Sequence, residues 1–257
     1  MSEMVLHDVD GPVFRITLNR PDKRNALNHA VIEGIAAGLK RAPYIEGVRA
    51  IVLIGAGDRA FCAGGDLQPG GGFVFDFAQP RSPYGDLLKA ARACPLPIVA
   101  AVNGACMAGG MGLLAMADLA ISKDSARFGL PEAKIGLFPM QVMALMKEMV
   151  APRTLRRWML TGAPFDAAEA LREGMLNEVV PDDQLDAATA RLTEALAAAS
   201  PTSLRRGKYA LQAIEGMTTE QAVAFAEGQI TLMALSEDAK EGLASFNEKR
   251  PPKFEGR

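Results

Sequence analysis

Pro97-Ile98-Val99-Ala100-Ala101-Val102-Asn103-Gly104-Ala105-Cys106-Met107-Ala108-Gly109-Gly110-Met111-Gly112-Leu113-Leu114 reads as a buried strand that turns a glycine-rich corner into a helix. Pro97 to Val102 is apolar without interruption, and Leu114-Ala115-Met116-Ala117 continues as helix. Glycine lets backbone N–H groups face a cavity with no Cβ in the way. A helix N-terminus adds unpaired donors and the positive end of the peptide dipoles. Such a corner suits an oxygen atom that gains negative charge during a reaction. A close helix–strand contact would select the same glycines, so the cluster by itself supports a structural or a functional reading.

Upstream of the corner, Tyr84 to Cys94 reads as a helix stopped by Pro95-Leu96-Pro97. Residues 68 to 83 are rich in Gly and Pro and read as a mobile loop or active-site flap, with Phe73, Phe75 and Phe77 suited either to lining an apolar pocket or to packing on a neighbour. Gly55-Ala56-Gly57-Asp58-Arg59-Ala60 matches the G-x-G-x-x-A pattern, with Asp76 near the distance of a ribose-binding acid. That fingerprint requires a helix to begin at its glycines. Here Phe61-Cys62-Ala63-Gly64-Gly65-Asp66 and then Pro69 and Gly70-Gly71-Gly72 follow, so a dinucleotide site is set aside. Ala50 to Ile54 is apolar throughout and reads as a strand buried on both faces. Asn28 can cap a helix from His29 to Lys40 with Val31, Ile32, Ile35 and Leu39 on one face. Asn19-Arg20-Pro21-Asp22-Lys23-Arg24-Asn25 gathers three cations in a polar turn, either a solvated loop or a phosphate contact. Val13 to Leu18 alternates as a half-buried strand, with Phe14, Ile16 and Leu18 on its inner face.

Downstream, Asp118 to Ser122 reads as a short strand, Ala126 to Gly129 as a bend, and Met140 to Val150 and Pro152 to Leu160 as helices. Asp166 caps a helix that ends at Gly174, and Met175 to Val180 is a strand-like return. Beyond it Leu185 to Ala199, Ser203 to Ile214 and Glu220 to Phe246 are three helices with no strand between them. Strands and helices therefore alternate over residues 1–180, and residues 181–257 form a helical region, in an α/β protein.

Composition narrows the function classes. The chain has 257 residues, 49% of them apolar, and a formal net charge of −2, which argues against a nucleic-acid surface. No apolar stretch reaches the roughly 18 residues of a membrane span. Glu3, His7, Asp8 and Asp10 leave the first residues unlike a signal peptide, so a cytoplasmic location is expected. Cys62, Cys94 and Cys106 stand in apolar settings without metal-ligand spacing, as reduced buried thiols would. With only His7 and His29 available, a histidine-dependent triad or a histidine-rich metal site is not expected.

Several stretches together resemble the crotonase superfamily, the enoyl-CoA hydratase/isomerase family. They are Asn19-Arg20-Pro21 with Asn25-Ala26-Leu27, Ala60-Phe61-Cys62-Ala63-Gly64-Gly65-Asp66-Leu67, the opening stretch, and Phe128-Gly129-Leu130-Pro131-Glu132 with Gly136-Leu137-Phe138-Pro139. Phe246-Asn247-Glu248-Lys249-Arg250 is similar to the family's ending. The resemblance implies a spiral of ββα turns followed by a C-terminal helical trimerisation region, with trimers often paired into hexamers. It implies an acyl-CoA thioester as substrate, coenzyme A being part of that substrate and no separate cofactor being needed. Nucleic acid and membrane partners are not expected.

By the same resemblance, the N–H groups of Gly65 and Gly109 form an oxyanion hole for the thioester carbonyl. Arg24, Ala26, Ala63, Asp66, Leu67, Gly110, Pro131 and Met140 lie along the substrate and its CoA, and Phe246 and Lys249 reach CoA from the C-terminal region. Family hydratases hold a water between two glutamates. The second matches Glu132; the first falls at position 112, where this chain has Gly112, and Met140 replaces a glycine that helps hold the water. Glu132 is then the acid/base residue, since a carboxylate in an apolar pocket is a competent base near neutral pH. Asp66, Asp76 and Glu148 are candidates for a second acid. Three readings follow: hydration of a 2-enoyl-CoA or double-bond isomerisation by Glu132, another acyl-CoA reaction such as decarboxylation or thioester hydrolysis, and a non-catalytic acyl-CoA-binding protein.

Overall fold

A computed structural model describes residues 3–68, 78 and 80–257. In chain order the elements are β1 (Val5–Asp10), β2 (Val13–Leu18), α1 (His29–Arg41), β3 (Ala50–Gly55), β4 (Ala60–Cys62), α2 (Pro83–Ala93), β5 (Ile98–Val102), β6 (Ala105–Met107) and α3 (Gly109–Ala115). There follow β7 (Leu119–Lys123), β8 (Arg127–Gly129), α4 (Met140–Met146), α5 (Pro152–Thr161), β9 (Phe165–Asp166), α6 (Ala167–Arg172), β10 (Glu178–Val180), α7 (Leu185–Ala198), α8 (Pro201–Ile214), α9 (Thr219–Ala234) and α10 (Glu237–Glu248).

Two sheets are wound from one repeated move. β3, β5 and β7 pair in parallel in a sheet of order β1-β2-β3-β5-β7-β10, while β4, β6 and β8 pair in parallel in a second sheet of order β4-β6-β8-β9. Each of the segments β3–β4–α2, β5–β6–α3 and β7–β8–α4 thus gives one strand to each sheet and then a helix. Parallel neighbours need such crossovers, because a tight turn can join only antiparallel strands. The chain is a spiral of ββα turns, as the resemblance implied.

The uninterrupted apolar runs have a plain cause. Ile51, Leu53, Ile98 and Ala100 face the main core, whereas Val52, Val99, Ala101 and Ile121 face a second cluster closed by Leu185 and Ala188 of α7. A strand covered on both faces has no polar side to alternate with. At β2 one face is less covered, and Phe14, Ile16 and Leu18 alternate inward as expected.

Elsewhere the structure corrects the sequence reading. The corner at residues 103–108 contains β6, and the expected bend at 126–129 is β8. Strands of three residues are too short to show a period. The helix expected from Met140 to Val150 stops at Met146, and the strand-like return is ordered as a strand only at Glu178–Val180. Four helices close the chain, because Ser236 interrupts the last one: its Oγ accepts from Ala239 N–H at 3.1 Å and starts α10 afresh. The expected flap lies mostly outside the described residues, as do Phe73, Phe75, Phe77 and Asp76. Its last part is described where the Ser82 Oγ caps α2 by accepting from Gly85 N–H at 3.1 Å. Among the described residues, no helix is long and apolar enough to cross a membrane.

Candidate active site

The first corner is a short parallel seam between residues 24–27 and 63–66. Ala63 N–H donates to Arg24 O at 3.0 Å, Leu27 N–H to Gly64 O at 2.7 Å, and Asp66 N–H to Leu27 O at 2.8 Å. Because the groups on either side of Gly65 turn to Leu27, its own N–H and C=O turn away from that strand. Arg24 and Asn25 hold φ of 51° and 55°, a left-handed pair fixed from within. The buried Asn25 amide donates to Ala56 O at 3.0 Å and Ala60 O at 2.7 Å, and its Oδ1 accepts from Arg20 N–H at 3.0 Å.

The three cations of this turn have separate fates. Arg20 is structural: its guanidinium donates to Ala26 O at 2.7 Å and to Asp66 Oδ2 at 2.8 Å. The Arg20 guanidinium holds the Asp66 carboxyl below its usual range. Lys23 donates to Gln68 Oε1 at 3.1 Å, and Arg24 is exposed. Ala26 is buried in the seam, Ala63 is half-buried and Leu67 is exposed at its end.

The second corner abuts the first. A Cβ on Gly64 would lie 2.6 Å from Ala108 Cβ and 3.3 Å from Gly109 N, so the two backbones touch. Ala108 turns β6 into α3 at φ 51° and ψ −121°. For a residue with a Cβ this conformation costs on the order of 1–3 kcal/mol, and such strain persists where surrounding bonds over-determine it. Here Ala108 N–H donates to Gly129 O at 2.9 Å, and Ala108 O accepts from Met111 N–H at 2.9 Å. Gly109 opens α3, so its N–H has no partner within the helix. Gly110 serves packing: a Cβ there would stand 2.4 Å from the Cys62 carbonyl oxygen. At adjacent residues the cluster thus combines a helix-start N–H at Gly109 with a close packing contact at Gly110.

Glu132 sits in a 3-10 turn, Pro131–Ile135, three residues beyond the Gly129 that anchors Ala108. Pro131 and Glu132 are both half-buried. Among the described residues the buried Oε2 of Glu132 has no hydrogen-bond partner. Burial pushes its carboxyl above the usual glutamate range, against a smaller opposite pull from its own backbone N–H. A half-buried carboxylate with one unpartnered oxygen and a raised pKa is poised to take up a proton.

Tyr84 ties these parts together, and the sequence reading passed over it. Its hydroxyl donates to Gly109 O at 2.5 Å, and burial, followed by Cys62, Cys106 and lastly the charge of Glu132, raises the phenol well above its ordinary pKa. The available signal was a tyrosine directly after a Ser-Pro cap, on the helix face that buries Leu87, Leu88 and Ala91. A buried tyrosine needs a partner for its polar end.

Other candidates stand apart. Met140 is 63% exposed at the start of α4, beside the turn that bears Glu132. Phe246 is 83% exposed, and Lys249 is an exposed cap at φ 55°. The helix that carries them packs on α8 and α9, and no described bond ties either residue to the two corners. Of the possible second acids, Asp66 is engaged by Arg20, Glu148 pairs with Lys147 at 3.0 Å on the surface, and Asp76 lies outside the described residues. The thiols of Cys62, Cys94 and Cys106 are free and buried, and burial pushes Cys62 up to about 12. Among the described residues no cluster of His, Cys, Asp or Glu could hold a metal ion.

A ββα spiral whose two glycine corners abut has the architecture of the crotonase class. The sequence pattern of the family described as enoyl-CoA hydratase/isomerase matches residues 8–257. Among solved structures, an enoyl-CoA hydratase subunit from Geobacillus kaustophilus is 34% identical, with all of both chains covered and a TM-score of 0.92. An enoyl-CoA hydratase from Bacillus anthracis is 28% identical, covering 99% of this chain and 100% of that one, with a TM-score of 0.91. One from Mycobacterium smegmatis is 29% identical, covering 98% and 99%, with a TM-score of 0.90. The chain belongs to the enoyl-CoA hydratase/isomerase family.

Proposed function

We propose that this chain adds water across the double bond of a 2-enoyl-CoA thioester, with Glu132 as the only carboxylate in the chemistry. The half-buried Glu132 carboxyl, with Oε2 unpartnered and its pKa raised, carries the reading. Glu132 takes a proton from water as the water oxygen bonds to C3. The electron pair moves through C2 to the thioester oxygen, where the N–H groups of Gly65 and Gly109 stabilise the enolate. The enolate then collapses, and C2 takes the proton back from Glu132. Each preplaced donor contributes about 3 kcal/mol, by analogy with single-donor removals elsewhere. The CoA portion lies along the seam of residues 24–26 and 63–67, and the reaction as written calls on no further cofactor.

A specific observation favours a second reading. Position 112 carries no acid, and the Tyr84 hydroxyl crowds the space where a side chain there would begin. A single carboxylate suffices to move a proton between C2 and C4, which is double-bond isomerisation.

The same proposal includes assembly with copies of this chain, as trimers or paired trimers. None of the residues of α9 is buried in the single chain, and Ile230, Leu232, Leu235, Leu243 and Phe246 lie exposed on α9, α10 and the link between them. The test gives purified protein a 2-enoyl-CoA and, separately, a 3-enoyl-CoA, with products identified by mass and chromatography. A mass gain of one water supports hydration, and a shifted double bond at constant mass supports isomerisation. Tight binding without turnover of either would overturn both.

A further inference from the structure

Tyr84 reaches from the first turn of α2 into α3 at two points. Its hydroxyl donates to Gly109 O at 2.5 Å. The same oxygen lies 2.0 Å from where a Cβ on residue 112 would stand, with Tyr84 Cζ and Val142 Cγ2 each at 3.1 Å from that point. Real Cβ atoms essentially never meet a neighbour closer than 3.0 Å, so this hydroxyl and a side chain at 112 exclude one another. The ring cannot easily withdraw: Tyr84 is 5% exposed, packed in the main core with Leu87 and Leu88. Position 112 is the one that, by family resemblance, carries the first acid of a hydratase pair.

The bond to Gly109 has a consequence for the neighbouring peptide. Ala108 N–H is anchored to Gly129 O at 2.9 Å, and Gly109 O is anchored to Tyr84. The peptide between them carries the Gly109 N–H, so it is pinned on both sides while Ala108 holds its strained φ of 51°.

We infer that Tyr84 is a positioning residue that occupies the place of a side chain at 112 and from there clamps the Gly109 peptide in its oxyanion-binding direction. It excludes a second carboxylate from this side and leaves proton transfer to Glu132. The inference rests on the reading of Gly109 as an oxyanion donor.

The test combines Tyr84→Phe with Gly112→Ala. Phenylalanine keeps the ring and removes only the oxygen. Gly112→Ala lowers the urea midpoint beside Tyr84, and in the Tyr84→Phe background more than half of that loss disappears, because the nearest atom becomes Cζ at 3.1 Å. This cycle needs no turnover, so it separates failure of the contact from failure of the proposed reaction. In the kinetic arm, Tyr84→Phe lowers kcat about three- to tenfold, the worth of one neutral hydrogen bond. KM for the acyl-CoA stays within about twofold, and the acidic limb that belongs to Glu132 keeps its position. Equal midpoint losses in both backgrounds would overturn the shared space. An unchanged kcat would overturn the clamp. A fall of about a thousandfold with loss of the alkaline limb would make Tyr84 a proton donor instead of a positioning residue.

Discussion

Replacing Glu132 by glutamine separates chemistry from architecture, because the two side chains share a shape and differ in charge. General acid–base groups contribute about 10²- to 10⁴-fold, so the variant is expected to lose that much in kcat/KM for whichever enoyl-CoA the protein turns over. In free energy this is about 3–5 kcal/mol of transition-state stabilisation. Stability should move differently. Burial holds the Glu132 carboxyl above the usual range, so the fold disfavours its charged form. The stability that it contributes is full below the ordinary glutamate pKa and falls as pH rises through the raised one. Glutamine has no such fall, so relative to wild type its urea midpoint should climb as pH rises above the ordinary glutamate range. An opposing effect runs beside it: the new Nε2 takes the place of an oxygen that has no described partner, and an unpaired buried amide costs about 1–3 kcal/mol. That cost is constant with pH and leaves the slope intact. Activity and unfolding are read on one preparation across the pH range. Turnover within about threefold of wild type, or a midpoint difference flat with pH, refutes Glu132 as a half-buried base.

Two further substitutions test the walls of the site. Gly110→Ala puts a Cβ 2.4 Å from the Cys62 carbonyl, where backbone must shift, so a loss of about 1–3 kcal/mol is expected in urea unfolding, with m unchanged and kcat reduced as α3 moves. Arg20→Met strands the Asp66 carboxylate, whose side chain is 8% exposed, and breaking such a buried pair costs about 3–5 kcal/mol. The Arg20 partnership lowers the Asp66 pKa, so it stabilises above the ordinary aspartate range and is lost as pH falls through the lowered value; Asp66→Asn should abolish that acid-side decline in the urea midpoint.

How much of this was legible in the sequence differs between fold and site, for physical reasons. Long elements announce themselves: the alternation of β2, the doubly buried β3 and the Asn28-capped α1 all follow from burial patterns that their own residues carry. The second sheet does not, because β4, β6 and β8 have three residues each, and their pairing is a property of the winding. The glycine corners were visible as corners, yet Gly109, Gly110 and Gly112 look alike in sequence. Only neighbours from elsewhere in the chain separate them. Gly110 is shaped by the Cys62 carbonyl, Gly112 by the Tyr84 hydroxyl, and Gly109 by the end of the Leu27 side chain, 3.1 Å from where its Cβ would stand. The absence of an acid at 112 was likewise legible, but as a loss. In the fold the room beside α3 is taken by a hydroxyl delivered from 28 residues earlier and bonded to Gly109 O, next to the peptide proposed to face the enolate. A donor at the start of one helix is here held by a side chain from another, which is why the proton's route has to be argued from Tyr84 and Glu132 together.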